Sequence, residues 1–456
     1  MPRPKHPPLG SLLDAPSVRE AAQALVAAVR AEAGERELSA KGYERALREI
    51  GKMRGRPLPL ALLSGGTGRG ARVRLADGRT LLDFVSGIGT YLFGHGDDDL
   101  LETAVVAAAG DAVYQGHLMP GAEYHGMLKA LLRHTGPRIQ HGWLSVSGAI
   151  ANENALKIVL QKNAPADMIV SFERGFSGRT LALAEITDKA AFRDGLPLSG
   201  RALYVPFYDP DNPHRTLAEL DAHLERYKGR IAAMLFELIQ GEGGFHTAPP
   251  EFFRSVMERC RAAGVAVWVD EVQTFARTGE LFAYRTLGLE DLVDVVTCGK
   301  ALQGSAALYT RSYNPKPGLI AGTYAGSSVG LAVGTRIIER LESESYLGPE
   351  GRIALLGTRF ERWLENLRRR MPHAIGPRSG VGAMQAFIPF DGSPEAVQTT
   401  IHAAFEEGLL LWSAGVKPAK LRMLLPVNTT DEELESGFTI LEKALRRVAE
   451  EFGWPC

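Results

Sequence analysis

Four short stretches of this 456-residue chain carry residues whose types and spacing could do chemistry. In the first, residues 147–157, Ser147, Gly148 and Ala149 precede what reads as a helix start. Small residues there leave backbone N–H groups and the positive end of a helix dipole open to an anion such as phosphate. The second, residues 266–273, ends an apolar run in Asp270, Glu271, Val272 and Gln273. A carboxylate at a strand end sits where open α/β sheets bind ligands. The third, residues 294–302, places Lys300 directly after a β-branched strand, between Gly299 and Ala301. A lysine amine in such a pocket can form a Schiff base with an aldehyde. The fourth, residues 237–244, reads as a strand running into a Gly-rich turn with two carboxylates, Glu237 and Glu242.

Each stretch alone has an ordinary structural explanation: a helix cap, a strand-end aspartate, a solvated lysine, a polar loop. Their joint order says more. Lys300 follows Asp270 at a distance that fits one helical crossover between neighbouring parallel strands. A phosphate cradle, an aspartate and a lysine are the parts a pyridoxal 5'-phosphate site needs. The aspartate keeps the pyridine nitrogen protonated so that the ring can absorb electrons. The lysine holds the aldehyde and, once displaced, becomes the base that moves a proton.

Such groups need a rigid scaffold, and the apolar patterning supplies one. Short strands are expected at residues 168–172, 233–237, 265–269, 295–298 and 307–310, with helices at 217–227 and 251–263 between them. Alternation of this kind implies βαβ units and a mostly parallel sheet covered by helices. Earlier in the chain, Val18, Ala21, Ala22, Leu25, Val26 and Val29 mark an amphipathic helix, and a second is expected over residues 41–53. Pro57 and Pro59 break that pattern, Gly65, Gly66, Gly68 and Gly70 make a joint, and residues 72–84 alternate around Asp77 and Gly78 as a β-hairpin does. Near the end, strands are expected at 380–387 and 421–425. A last helix, capped by Thr430 or Asp431, turns Leu434, Phe438, Leu441, Leu445 and Val448 inward. The expected division is a helical extension (1–60), a large α/β domain (100–335) and a smaller α+β domain from 61–99 and 336–456.

Composition excludes several other classes. Lys and Arg number 52 against 53 Asp and Glu, so no global charge favours nucleic acid or an anionic membrane. The longest apolar runs, 231–236 and 264–269, fall far short of the ~20 residues that span a bilayer. The first eight residues lead into a charge-bearing segment instead of an apolar signal core, which points to the cytoplasm. Cys260, Cys298 and Cys456 are too few and too scattered for a disulfide framework or a metal site. The run Gly66, Thr67, Gly68, Arg69, Gly70 lacks dinucleotide-binding spacing and leads into a hairpin instead of a helix.

From about residue 70 to 450 the sequence resembles the class III aminotransferases, the ornithine, acetylornithine, 4-aminobutyrate and lysine-ε group of fold-type I pyridoxal phosphate enzymes. The resemblance rests on Asp83 to Gly89 with Gly94 and His95, on Ser147 to Glu153, on Gly175 to Thr180, and on Gln240 to Gly244. It continues through Val269 to Thr274, Arg277 to Gly279, Gly299 to Leu302, and Gly322 with Thr323. It implies that Lys300 is the Schiff-base lysine and Asp270 the partner of the pyridinium. Gln273 would bond the phenolic oxygen, Phe176 would stack on the ring, and Ser147, Gly148 and Ala149 would bind phosphate. Glu237 belongs to the same cofactor-binding set. Thr323 would reach the phosphate of a second subunit, making the active site a homodimer property. Arg179 would grip a substrate carboxylate, and Glu242 with Arg422 would form a gating pair. Ile88 occupies a substrate-side position where ornithine enzymes have Tyr.

The activity implied is transfer of a terminal (ω) amine from a basic or ω-amino acid to 2-oxoglutarate by a ping-pong route. A racemase, epimerase or aminomutase on the same fold is the alternative, since fold does not fix reaction. A racemase has no need of a second carboxylate pocket, so the Glu242 and Arg422 pair favours transfer. A non-catalytic binding protein has no need of Lys300 and Asp270. The chain departs from the family pattern at Ile150 (usually Glu), Leu238 (usually Pro), Ser177 (commonly His or Trp) and at Ala325, Gly326, Ser327 and Ser328.

Overall fold

The computed structural model describes residues 9–34, 37–66 and 68–455. The opening segment 1–8, Thr67 of the glycine joint and Cys456 lie outside the described residues. Ala107–Ala354 and Ser379–Gly382 make up most of one compact unit; Ser11–Val106, Leu355–Arg378 and Ala383–Cys456 make up the other.

The first unit is built on seven strands: β1 (Ile139–Ser145), β2 (Met168–Phe172), β3 (Ala202–Val205), β4 (Ile231–Phe236), β5 (Ala266–Glu271), β6 (Val295–Cys298) and β7 (Ser305–Thr310). They lie in the order β1-β7-β6-β5-β4-β2-β3. Every residue of β2, β4, β5, β6 and β7 is buried, as a sheet covered on both faces requires. Strands β3, β2, β4, β5 and β6 run parallel, and β7 is antiparallel to both β6 and β1. The physical reason lies in the link between β6 and β7, residues 299–304, which is too short for a helical crossover and forces a reversal. That reversal carries Lys300. The helix Gly148–Lys162 packs against β1, β4, β6 and β7, and the helices Arg215–Arg226 and Pro250–Ala262 pack against β3 and β5. Ala155, Leu156, Ile158, Val159, Leu235, Trp268 and Val295 belong to one buried cluster between the first of these helices and the sheet.

In the second unit, Arg72–Arg74 and Thr80–Asp83 form the hairpin expected around Asp77 and Gly78, and Leu409–Leu410 adds a parallel strand. A second sheet has the order Ile375–Val381, Met384–Pro389, Lys420–Leu424, Trp412–Ala414. The single strand expected over 380–387 is therefore two, because Gly382 turns the chain at φ 58°. Thr430 caps the helix Asp431–Phe452 in a reciprocal capping box with Glu433. Ser86, Gly87, Ile88 and Gly89 all adopt positive φ, a left-handed turn rare for a β-branched residue. Asp83 holds it by accepting the amides of Val85 and Ser86, each at 2.8 Å, while its other oxygen bonds His95 Nε2 at 2.8 Å.

The turn that bears Lys300 rests on glycine. Lys300, which opens the 3-10 turn Lys300–Leu302, and Gln303, which follows it, have φ of 48° and 57°. The helix Ser328–Ser343 approaches this turn through Gly330 and Gly334. A Cβ on Gly334 would sit 2.2 Å from the Leu302 carbonyl oxygen and 2.2 Å from Met127 Cε. Alanine normally strengthens a helix interior by about 1 kcal/mol over glycine. Here overpacking reverses the sign, so Gly334→Ala is expected to destabilise the protein by ~1–3 kcal/mol. A thermal melt checks this: an unchanged or raised midpoint would mean that the helix can move away freely.

Candidate active site

Three neighbouring strand ends supply the centre of the site. Asp270, next to last in β5, is 5% exposed. Its Oδ2 accepts from Asn152 Nδ2 at 2.7 Å and its Oδ1 from the Val272 amide at 2.9 Å. Pairing of Phe236 with Val269 brings Glu237, one residue past β4, level with Asp270. Glu237 is 8% exposed and accepts the amides of Phe176 at 3.0 Å and Gly241 at 2.9 Å. On the other side, Asp270 pairs with Thr297 and Glu271 with Cys298, and Lys300 follows two residues later. The positive charge of Lys300 opposes proton uptake at both Asp270 and Glu237, so its ammonium lies within electrostatic reach of each.

Burial dominates the titration of these acids. It raises Asp270 to about 6 against the Val272 amide, Asn152 and Lys300, which pull the other way. It raises Glu237 to about 8, helped by the charge of Asp270 and resisted by the amides of Phe176 and Gly241 and by Lys300. Near neutral pH, Asp270 is mostly ionised and Glu237 mostly protonated. Two adjacent carboxyls thus take different charge states, a pattern that marks functional sites. Glu271 faces away, accepting the amides of Ala283 and Tyr284 at 2.9 Å each; burial raises it to about 7.

The backbone closes around these groups at glycines. A Cβ on Gly148 would meet Val272 Cγ1 at 2.5 Å, and one on Gly299 would meet Ser305 Oγ at 2.7 Å and Val272 Cγ1 at 3.4 Å. A Cβ on Gly241 would fall 2.3 Å from Gln273 Oε1. Ser147 caps the helix by accepting the Ile150 amide at 3.3 Å, and Gly148 and Ala149 open its first turn, where amides lack intrahelical acceptors. Phe176 is half-buried with its amide on Glu237, and Arg179 is exposed with its guanidinium over the Phe192 ring at 3.9 Å. Glu242 is half-buried and Thr323 exposed in this same unit. Ile88 and Arg422 belong to the other unit. Ile88 is half-buried in the left-handed turn, and Arg422 is 1% exposed in the strand Lys420–Leu424, opposite Ala386 and Trp412.

Asn152, inside the stretch Ser147 to Glu153, is a further residue of the centre to which the motif reading assigns no role. Its single Nδ2 also donates to the Ser177 carbonyl at 2.6 Å, joining helix, strand end and loop. The signal was available: Asn152 shares a helix stripe with Ala155, Leu156 and Val159, all buried, and a polar residue on an apolar stripe needs a partner.

The aminotransferase class-III family profile matches residues 60–445. A 2-aminoadipate transaminase from Pseudomonas putida is 32% identical over 403 residues, spanning 84% of this chain and 95% of the relative. An acetylornithine aminotransferase from Thermosynechococcus vestitus is 30% identical over 404 residues, 86% of this chain and 94% of its own length. The fold matches that of a lysine aminotransferase from M. tuberculosis with a TM-score of 0.80 at 21% identity, over 88% of this chain and 99% of that one. This chain belongs to the class III aminotransferase family. As a class III aminotransferase it depends on pyridoxal 5'-phosphate and works on small-molecule amino donors and acceptors.

The residues present fit that cofactor. Gln273 Oε1 and Asn152 Oδ1 are buried without a hydrogen-bond partner, so polar capacity remains beside Asp270. The close approach of Gly148 to Val272 leaves a helix start without side-chain bulk, as phosphate binding needs. Among the described residues, no cluster suits a metal ion and no helix is long and apolar enough to cross a membrane.

The raised acid at Glu237 has a measurable consequence in the cofactor-free aminotransferase. Below its ordinary 4.5, Glu237 is protonated in both folded and unfolded chains and its contribution is full. Between there and about 8, only the folded chain keeps the proton, so stability falls as pH rises, by up to about 1.4 kcal/mol per pH unit. Glu237→Gln is therefore expected to flatten the decline in melting temperature between pH 5.5 and pH 8. An unaltered slope would mean that Glu237 is ionised throughout.

Proposed function

We propose that this aminotransferase moves the terminal amine of a basic or ω-amino acid to 2-oxoglutarate by a ping-pong route, as a cytoplasmic homodimer. The observation that carries the proposal is the setting of Lys300 just past a strand end that pairs with the one bearing the buried Asp270, which is held by Asn152 and the Val272 amide. Names of relatives support the donor class: acetylornithine, 5-aminovalerate and 4-aminobutyrate enzymes all align over most of the chain.

Lys300, Asp270, Glu237, Gln273, Phe176 and the amides of Gly148 and Ala149 with Ser147 would hold the cofactor. Pyridoxal 5'-phosphate, when bound, supplies an electrophilic aldehyde and a ring that draws electrons from the carbon bearing the amine. Asp270, fixed by Asn152 and the Val272 amide, holds a proton at the ring nitrogen. Gln273 turns its amide to the phenolic oxygen. Phe176 covers one ring face, to which an electron-poor heterocycle is attracted. In its unprotonated form the Lys300 amine would carry a proton at Nζ from one carbon to the next. Arg179 binds a substrate carboxylate through its guanidinium fork. Arg422 takes the second carboxylate of 2-oxoglutarate, and Glu242 competes for it when a donor without that group is bound. Thr323 serves the phosphate of the second subunit.

A second reading, an α-amino dicarboxylate donor, is favoured by the 2-aminoadipate transaminase at 32% identity. A donor panel with 2-oxoglutarate, read by glutamate formation, separates the two. Terminal amines should outperform 2-aminoadipate, and the reverse order would overturn the ω-amine proposal. Loss of optical activity without any keto acid would reveal a racemase. Lys300→Ala should abolish the visible absorbance of the protein incubated with cofactor and lower kcat by at least about 100-fold. Arg422→Ala should raise the KM for 2-oxoglutarate far more than that for the donor; equal effects would remove the gate.

A further inference from the structure

Beyond the residues assigned above, the loop after the helix Leu181–Ile186 gathers three of its neighbours on one aromatic ring. Phe192 ends the 3-10 turn Ala190–Phe192. Its ring meets that of Phe176 edge-on, with centroids 6.1 Å apart and planes at 82°. The Arg179 guanidinium carbon lies 3.9 Å from the same centroid, and Lys189 Nζ lies 4.5 Å from it.

The ring is not free to drift. Arg193, the next residue, donates to the carbonyls of Glu185 and Thr187, each at 3.3 Å, and to the Tyr204 hydroxyl at 2.5 Å. The Asp188 amide donates to the Gly175 carbonyl at 2.9 Å, and its carboxylate accepts the Arg174 amide at 2.7 Å. Both ends of the 188–193 segment are therefore fastened to its surroundings, and one end to the loop that carries Phe176 and Arg179. A guanidinium lying over a ring keeps its N–H fork at the edges, open to a carboxylate. An exposed arginine without such a support would have to be ordered at each binding event.

We propose that Phe192 is a positioning residue for substrate: its ring face presets the Arg179 fork for a carboxylate, and its edge contact steadies Phe176. The proposal rests on the reading of Arg179 as the carboxylate-binding residue. It requires an aromatic face at 192, not merely apolar volume.

Three variants of the holoenzyme test it by steady-state kinetics: Phe192→Leu, Phe192→Tyr and Arg179→Ala. Phe192→Leu should raise the donor KM about five- to tenfold, the size of a cation–π contact, with kcat within about twofold of the parent. Phe192→Tyr, which keeps the face, should stay within about twofold on both. The double variant Phe192→Leu/Arg179→Ala should bind donor no worse than Arg179→Ala alone. If Arg179→Ala raises KM while Phe192→Leu does not, or if leucine and tyrosine behave alike, the positioning role is overturned and the assignment of Arg179 stands. If Arg179→Ala leaves KM unchanged, that assignment fails and takes this inference with it. Phe192→Met, of similar volume, replaces the leucine variant should that one fail to fold. Apparent affinity for pyridoxal 5'-phosphate, titrated by visible absorbance, gives a second readout through Phe176. It should weaken in Phe192→Leu and hold in Phe192→Tyr, and the opposite order would overturn the edge contact.

Discussion

Asp270 places a carboxyl at a strand end that is almost closed to solvent, where burial opposes its charge. Burial pushes its carboxyl up, and three groups push back: the Val272 amide, the Asn152 side chain and the positive charge of Lys300. A buried charge persists only when hydrogen bonds and an opposite charge replace its lost solvation. Much of the surrounding architecture follows from that need. The helix Gly148–Lys162 must lie close enough for Asn152 to reach the end of β5. The loop after β2 must return its Ser177 carbonyl to the same amide nitrogen. Strand β6 must end level with β5 so that Lys300 falls beside it. Glu237, one strand away, is pushed up further, by burial and by the charge of Asp270, which opposes two adjacent negative charges.

Such convergence of backbone is incompatible with side chains at the points of contact. Val272 is the clearest case, because two glycines from separate elements, Gly148 and Gly299, close on its Cγ1. One β-branched residue thereby fixes the distance between the helix start and the lysine turn. The Gly334 contact with the Leu302 carbonyl supports the same turn from the opposite direction. The positive φ values of Lys300 and Gln303 show what that support sustains, since left-handed backbone in non-glycine residues persists only where its surroundings hold it.

Features written in local pattern were legible in the sequence, and features that depend on register were not. The fully buried strands β2, β4, β5 and β6 announce themselves as apolar runs, and Asp270 and Lys300 follow from standing at their ends. The cap at Thr430 was legible because its partner Glu433 lies three residues away. By contrast, β1 and β3 are not among the expected strands: β1 interrupts its apolar residues with Gln140, His141 and Gly142, and β3 is a run of four residues, Ala202–Val205, three of them only half-buried. Glu237 is expected at a strand end and, by the resemblance, among the cofactor-binding residues, but its proximity to Asp270 is set by the pairing of β4 with β5, which no local pattern reveals. The left-handed turn at Ser86–Gly89 was hidden for a related reason. Ile88 has no intrinsic preference for that conformation, and Asp83 imposes it from outside the turn.

Two of the departures of this chain from its family pattern, Ser177 and Ile150, fall where the backbone makes the contacts. Ser177 replaces a common His or Trp, yet that position uses its carbonyl for Asn152 and its amide for the Thr187 hydroxyl, at 3.0 Å, and neither depends on the side chain. Ile150 replaces a usual Glu, and there the recorded partner of Ser147 Oγ is the Ile150 amide. Leu238 replaces a usual Pro and is buried, so one apolar residue substitutes for another. The contacts that link Ser177 to Asn152 and Thr187 are thus independent of the side chain at 177. Under the proposed function, selection among donors falls to side chains that reach outward, among them the exposed Arg179. The groups that hold Asp270, the Asn152 amide and the Val272 N–H, are distinct from the Arg179 guanidinium that the proposed function gives to substrate, so the two can vary separately.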